Sequence, residues 1–354
     1  MATKRWRNNC KGFELVMEAL AVKYRPQTLN EIVSQEAVSK ILMKQVETNT
    51  FKNCYLFCGP SGTGKTTTAR AFSRLINGSL DGIIEIDAAS NNGVENIRNI
   101  ISSASERAIG AEYKVYIIDE CHVLTNNAWQ ALLKTLEEPP RYTLFMLCTT
   151  NPEKIPPTIL NRVQRFNLQR IPKDKIRDRL FFICKQEGFT NYKEACDYIS
   201  KISNGQMRDA IANLDKCATF STDLSIENVL YCLGNYSYET FFKLTNAILD
   251  DDEKTILSII DEFYYDGKDL KQFISTFIEF MLDMNKFCLF HSYDIIQIPN
   301  TFDNDIQNLI AINEPEKYYN YYVMQLSELQ TKIKTDISPK TTIEIYMMKM
   351  ARLM

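Results

Sequence analysis

Hydrophobic positions in the first 170 residues alternate between two patterns. Short, almost unbroken apolar runs stand at 54–58, 83–88, 115–118, 144–148 and 166–168. Between them, 66–75, 94–108, 128–136 and 155–160 carry apolar residues three and four apart, the spacing of one helix face. A strand that is apolar at every position needs cover on both faces. The alternation therefore predicts an α/β fold, a parallel sheet between two layers of helices. Sheets of this kind hold ligands at the carboxyl ends of their strands.

The strand pattern stops near residue 170. Helical spacing predicts a small helical unit from 173–186, 192–203, 207–220 and 226–233, punctuated by Gly188, Gly205 and Gly234. Residues 237–352 read as helical again, with long amphipathic stretches at 270–290 and 315–335. The Asn-rich segment 299–308 reads as a loop or helix junction. Residues 1–16 are polar and basic, without sustained periodicity. The expected organisation is an extension (1–16), an α/β domain (17–171), a small helical domain (172–235) and a second helical domain (236–354).

Of the 354 residues, 45% are hydrophobic and 24% charged, an ordinary globular balance. No window approaches the roughly 18 apolar residues of a membrane span. Basic Lys4, Arg5, Arg7 and Lys11 precede an apolar stretch broken by Glu14 and Glu18, which argues against a signal peptide. The net charge of −3 is uneven. Residues 251–354 hold 10 Lys and Arg against 17 Asp and Glu, a net −7, which leaves +4 for the rest. Nucleic-acid contact is expected in the first two-thirds. Ten scattered cysteines without a C-x-x-C pair suggest a reduced, cytoplasmic protein with no disulfide framework and no zinc cluster.

The strongest chemical signal is GPSGTGKT at 59–66, between a predicted strand and a predicted helix. In that context Gly59, Pro60, Ser61, Gly62, Thr63 and Gly64 form a loop whose N–H groups cradle phosphate. Lys65 reaches the β- and γ-phosphates, and Thr66, followed by Thr67, offers a hydroxyl to Mg²⁺. The alternative is a glycine-rich turn without a ligand. The second signal is KVYIIDECH at 114–122, where an apolar strand delivers Asp119 and Glu120 to its carboxyl end. Asp119 suits the Mg²⁺ shell and Glu120 the attacking water; an acidic strand cap is the plainer reading. Thr150, closing LFMLCTT, is placed to contact a γ-phosphate or the water, although threonine also simply favours strands. Arg162 and Arg208 are candidate cations for a transferring phosphoryl group; the alternative is a pair of solvated surface arginines. The basic run Arg162, Arg165, Arg170, Lys173, Lys175, Arg177 and Arg179 reads as a solvated face. His122 and His291 show no metal pattern and read as structural.

Together these motifs resemble an AAA+ ATPase and, more narrowly, the gamma/tau subunits of bacterial DNA polymerase III clamp loaders. The resemblance is carried in family order by AVKYRPQTLNEIVSQE, YLFCGPSGTGKTTTAR, IIEIDAASNNGVENIR, ALLKTLEEPP, FMLCTTNPEKIPPTILNRVQRF and GQMRDAI. It implies a nucleotide-binding domain, a helical lid and an all-α collar that assembles subunits, with ATP and Mg as cofactors. It places Lys65 and Thr66 as Walker A, Asp119 and Glu120 as Walker B, and Thr150 as sensor 1. Arg162 matches an arginine that reaches a neighbouring subunit's ATP, and Arg208 matches sensor 2. Tyr24, Arg25, Pro26 and Val33 match the segment that cradles adenine, and Arg98 a helix residue facing DNA. The implied partners are a sliding clamp, other clamp-loader subunits in a pentameric ring, and primer-template DNA.

Three departures stand out. Only INGSLDG follows the P-loop helix, where the family usually carries a four-cysteine zinc module. The Ser-Arg-Cys motif reads Asn161-Arg162-Val163. The chain ends at Met354 without the tau extension, so the shorter gamma form is expected. Two alternatives stay open. One is a DNA-translocating AAA+ motor such as a branch-migration helicase. The other is a non-hydrolysing structural subunit like delta-prime, a class that loses the phosphate loop present here.

Overall fold

A computed structural model of the chain describes residues 18–233 and 238–352. The expected extension 1–16 and Gly234 lie outside the described residues. All five apolar runs become strands: β1 (Cys54–Cys58), β2 (Ile83–Asp87), β3 (Lys114–Asp119), β4 (Thr143–Thr149) and β5 (Gln164–Asn167). They form one sheet in the order β2-β3-β4-β1-β5 with every pairing parallel. Consecutive strands thus need crossovers. These are supplied by the helices α3 (Lys65–Asn77), α4 (Val94–Ala104) and α5 (Asn126–Glu137), and between β4 and β5 by the short α6 (Pro157–Leu160). Upstream of the sheet lie the single turn α1 (Leu20–Lys23) and α2 (Glu36–Glu47).

The period of two along each strand divides the core between the two faces. Leu56, Tyr116, Ile118, Phe145 and Leu147 pack with Ile97 and Ile100 of α4 and Trp129 and Leu132 of α5. The intervening Tyr55, Phe57, Val115, Ile117, Leu144 and Met146 pack with Val38 and Leu42 of α2 and Phe72 of α3. Tyr55, Leu56 and Phe57 have no exposed surface. At about 1.5–3 kcal/mol for each large apolar side chain buried, such strands hold the sheet together.

Several boundaries differ from the sequence expectation, each for a local reason. Helix α4 ends at Ala104, not 108: Thr143 Oγ1 donates to Ala104 O and Lys114 Nζ to Ser103 O, both at 2.7 Å. Those side chains satisfy the last carbonyls and stop the helix. The helix expected at 155–160 is shortened to α6: Pro157 restricts Pro156 to a non-helical conformation and itself opens the first turn, and a separate 3-10 turn (Pro152–Lys154) precedes it. Edge strand β5 has, among the described residues, only β1 as neighbour and begins at Gln164, two residues before the apolar run. The segment 299–308, expected as a loop or junction, carries a short 3-10 turn and then helix α14 (Asp303–Ile310). Ile306 and Leu309 are buried three apart, and Asp303 and Asp305 complement its first turn.

The helices that follow the sheet are α7 (Lys173–Glu187), α8 (Tyr192–Ile202), α9 (Met207–Phe220) and α10 (Ile226–Leu233). Then come α11 (Tyr238–Leu249), α12 (Glu253–Tyr265), α13 (Leu270–Phe290), α14, α15 (Pro315–Ile333) and α16 (Pro339–Ala351). The chain forms two compact units. Among the described residues, one comprises 18–189 with Ile199–Thr219, so α7 belongs with the sheet; the other comprises Thr190–Tyr198, 220–233 and 238–352. In the second unit α13 packs along α15. Its Phe273, Phe277 and Phe280 meet Phe241, with ring centroids 5.4–5.8 Å apart, geometry favourable for aromatic pairs. Among the described residues no helix is long and apolar enough to cross a membrane.

Candidate functional site

A cleft of about 320 Å³ opens at the carboxyl edge of the sheet, as the strand order demands. The loop between β1 and α3 forms one wall. Gly62 and Gly64 there have φ of 68° and 95°, the left-handed region that glycine adopts without strain. A Cβ on Gly62 would sit 2.7 Å from Gln206 Cβ, so the loop lies flat against the start of α9. Met207 N donates to Gly62 O at 3.0 Å and holds it there. Ser61, Gly62, Thr63, Gly64, Lys65, Thr66 and Thr67 line the cleft; Gly59 and Pro60, also expected there, are outside the lining. Lys65 is 6% exposed, and its Nζ donates to Gly59 O and Pro60 O, both at 3.0 Å. Those carbonyls hold the ammonium against the loop.

Strand β3 supplies the facing carboxylates. Thr66 Oγ1 donates to Asp119 Oδ2 at 2.6 Å, so a hydroxyl and a carboxylate stand together at the cleft floor. Two hard oxygen donors so placed fit Mg²⁺. Glu120 follows with φ 45°, left-handed for a residue with a Cβ, and its N–H donates to Asp119 Oδ1 at 2.9 Å. Its Oε2 accepts from Thr150 Oγ1 at 3.0 Å and lies 3.3 Å from His122 Nδ1. Thr150 thus reaches the site through Glu120. His122, read as merely structural from the sequence, stands beside it.

The opposite end of the cleft is largely apolar. Ala21, Tyr24, Pro26, Ile32, Val33, Ile171, Met207 and Ile211 line it, with Arg25, Arg179 and Arg208. Tyr24 is fastened to α7: its hydroxyl donates to Glu187 Oε1, which Lys23 Nζ also meets at 2.6 Å. Burial, then the Glu187 hydrogen bond, pushes the Tyr24 hydroxyl up to about 12. Arg179 Nη2 donates to Tyr24 O at 2.8 Å, and the guanidinium lies 5.1 Å from the Phe182 ring centre. Burial lowers the Arg179 pKa. Arg179 was expected on a solvated face and is instead half-buried in the cleft wall. The signal was available: it stands three residues after Ile176 and four before Ile183, on the apolar stripe of α7.

Two candidate cations lie away from the cleft. Arg162 is bound by Glu137 and by Thr158 O of its own chain. Arg98 is exposed on α4, whose Ile97 and Ile100 face the core.

The family described as DNA polymerase III, delta subunit, matches residues 82–172, from β2 to just past β5. Relatives match more of the chain. The DNA polymerase III subunit tau of Bacillus subtilis (strain 168) is 38% identical over 75% of this chain and 51% of that protein. The subunit gamma/tau of Mycoplasma genitalium is 32% identical over 86% of this chain and 54% of that protein. The chain thus spans about half the length of these two relatives. The DNA polymerase III subunit gamma of Buchnera aphidicola subsp. Schizaphis graminum is 30% identical over 93% of this chain and 96% of that protein. Among solved structures, the RuvB Holliday junction branch migration motor of Thermotoga maritima aligns with a TM-score of 0.51. That alignment covers 64% of this chain and 80% of that one at 19% identity, a likeness of fold alone. With near full-length coverage of the Buchnera subunit, the chain belongs to the gamma/tau subunit family of DNA polymerase III.

Proposed function

We propose that the chain is an ATPase subunit of a replication clamp loader, which uses ATP to open a sliding clamp and place it on primer-template DNA. The observation that carries this reading is the complete phosphate cleft. Lys65, the Thr66–Asp119 pair and Glu120 converge on one site at the carboxyl edge of a parallel sheet. A structural subunit has no need of all of these groups.

In this reading the loop N–H groups from Gly59 to Thr66 hold the β- and γ-phosphates, and Lys65 neutralises them. Thr66 and Asp119 hold Mg²⁺, which when bound neutralises charge on the phosphate oxygens. Glu120 orients and polarises the attacking water. Thr150 reports the γ-phosphate, and Arg208, on the cleft wall, contacts the subunit's own nucleotide. The apolar end with Tyr24, Arg25, Pro26 and Val33 takes the adenine. Arg162 acts on the ATP of a neighbouring subunit. Its own-chain ion pair with Glu137 is partly exposed, and pairs of that kind are worth about 0–1 kcal/mol, little enough to be exchanged for phosphate. Arg98 meets the DNA backbone, a contact that makes binding salt-sensitive and largely sequence-independent. The partners are the clamp, companion subunits in a ring, and DNA.

The test is the steady-state ATPase rate of the chain alone, with primer-template DNA, and with DNA plus clamp and companion subunits. Stimulation that requires DNA and rises with the clamp is expected. DNA stimulation indifferent to the clamp would favour a translocating motor. No turnover in any mixture, with no ATP bound, would favour a structural subunit.

A further inference from the structure

The Glu120 carboxylate is held by more than Thr150. The His122 side chain is 10% exposed and its Nδ1 lies 3.3 Å from Glu120 Oε2. The same nitrogen is 3.2 Å from Thr149 Oγ1, while Nε2 is 3.3 Å from Asn151 Nδ2. Asn151 Nδ2 is a donor, so Nε2 accepts. That leaves the ring hydrogen on Nδ1, which lies between Thr149 Oγ1 at 3.2 Å and Glu120 Oε2 at 3.3 Å, a tautomer assigned from the partners. The ring therefore ties the end of β3 to the end of β4, between the two residues that the ATPase reading assigns to water and γ-phosphate.

We propose that His122 is a positioning residue for Glu120, with its largest effect when triphosphate is bound. The inference rests on the ATPase reading above. A threonine hydroxyl carries one proton. When Thr150 donates that proton to a γ-phosphate, it no longer donates it to Glu120. The carboxylate then keeps only the Thr150 N–H, 3.4 Å away, and His122. Pinned at Oε2, it presents Oε1 to the water. Released, it swings from a backbone whose left-handed φ already departs from the strand. Asn151 and Thr149 in turn hold the ring, so the geometry at Glu120 follows the β4 end.

The experiment compares His122→Ala, His122→Asn and His122→Gln in the assembled complex with DNA, measuring kcat, and the Kd of a non-hydrolysable ATP analogue. A misplaced catalytic group costs up to about 10²-fold, so His122→Ala is expected to lower kcat about 10–100-fold with the Kd within about twofold of wild type. An asparagine amide falls near the position of Nδ1 and a glutamine amide near Nε2, so His122→Asn should recover more activity than His122→Gln. Because His122 acts through Glu120, adding His122→Ala to Glu120→Gln should slow the reaction no further. An unchanged or faster kcat in His122→Ala, a weakened Kd in its place, or an additive double variant would each overturn the proposal. Failure of the ATPase reading looks different: wild type without turnover, or Glu120→Gln as fast as wild type, overturns both.

Discussion

Thr66 Oγ1 and Asp119 Oδ2, 2.6 Å apart, join the first turn of α3 to the last residue of β3. The sheet order places them so. β4 separates β1 from β3, and the loop after β1 leads into α3, whose Thr66 reaches Asp119 at the end of β3. Thr66 and Asp119 are the residues that would hold Mg²⁺, a cation that would neutralise phosphate charge there.

Replacement of Thr66 by valine keeps the branched shape and removes the hydroxyl. Binding of ATP is then expected to lose most of its gain from Mg²⁺, about tenfold in Kd or ~1.4 kcal/mol, while affinity in EDTA stays close to wild type. Titration of a fluorescent ATP analogue in both buffers measures this, and Thr66→Ser should restore the gain. An undiminished Mg²⁺ effect in Thr66→Val would remove this hydroxyl from the metal role.

Arg179 makes a different prediction because it lies at the apolar end of the cleft and supports Tyr24. Arg179→Ala should weaken ATP about tenfold, ~1.4 kcal/mol, yet leave inorganic tripolyphosphate binding nearly unchanged. Competition of both ligands against the same fluorescent nucleotide separates the two ends. Equal losses for both would mean that the substitution disturbs the fold of the cleft, and not its base end.

The contrast between these two residues shows what the sequence made legible. The phosphate loop and the acidic strand end are contiguous strings whose spacing already implies their geometry. The core strands were legible for the same local reason: Leu56, Ile117 and Leu147 have cover on both faces and so lie in unbroken apolar runs. Spacing on α7 puts Arg179 on the buried stripe, but its role, like that of His122, is defined by what faces it across the fold, Tyr24 in one case and Glu120 with Asn151 in the other, and no spacing within a segment encodes that partner. The end of α4 was hidden likewise, because its stop signal is Thr143 and Lys114 on distant strands. Helix α14 was obscured by its asparagines, which favour turns in isolation, while buried Ile306 and Leu309 decide the outcome.

In the second unit Asp283, 4% exposed, accepts from Gln297 N at 2.6 Å and from Lys286 Nζ at 3.1 Å. Burial nevertheless raises its pKa against both partners, and burial and the Asp283 charge raise that of Glu279. The folded state therefore holds these protons more tightly than the unfolded chain. The associated stability is full below the ordinary carboxylate range near pH 4 and is lost as pH rises through the raised values. Asp283→Asn keeps an oxygen for Gln297 and cannot ionise. Wild type should lose stability relative to this variant as pH increases from about 4, as read by urea denaturation across a pH series. A wild type that gains on the variant with rising pH would show that Lys286 and the Gln297 amide outweigh burial.

In the proposed function Lys65 acts within its own subunit and Arg162 on a neighbour, a difference that variants can separate. Lys65 is fixed in its own cleft by Gly59 O and Pro60 O, whereas Arg162 is held by Glu137 and Thr158 O, outside the cleft lining. Lys65→Ala should therefore abolish ATP binding by the subunit that carries it. Arg162→Ala should leave that binding nearly intact and cut assembly-dependent hydrolysis by about 10³-fold, the scale of an arginine finger. Mixing the variants sharpens the test. A complex containing both is expected to turn over only at an interface where an intact Lys65 of one subunit meets an intact Arg162 of another, so activity should follow the statistics of such pairings. Equal loss of nucleotide affinity in the two single variants, or activity proportional to the fraction of unmodified subunits alone, would place Arg162 in its own subunit's site.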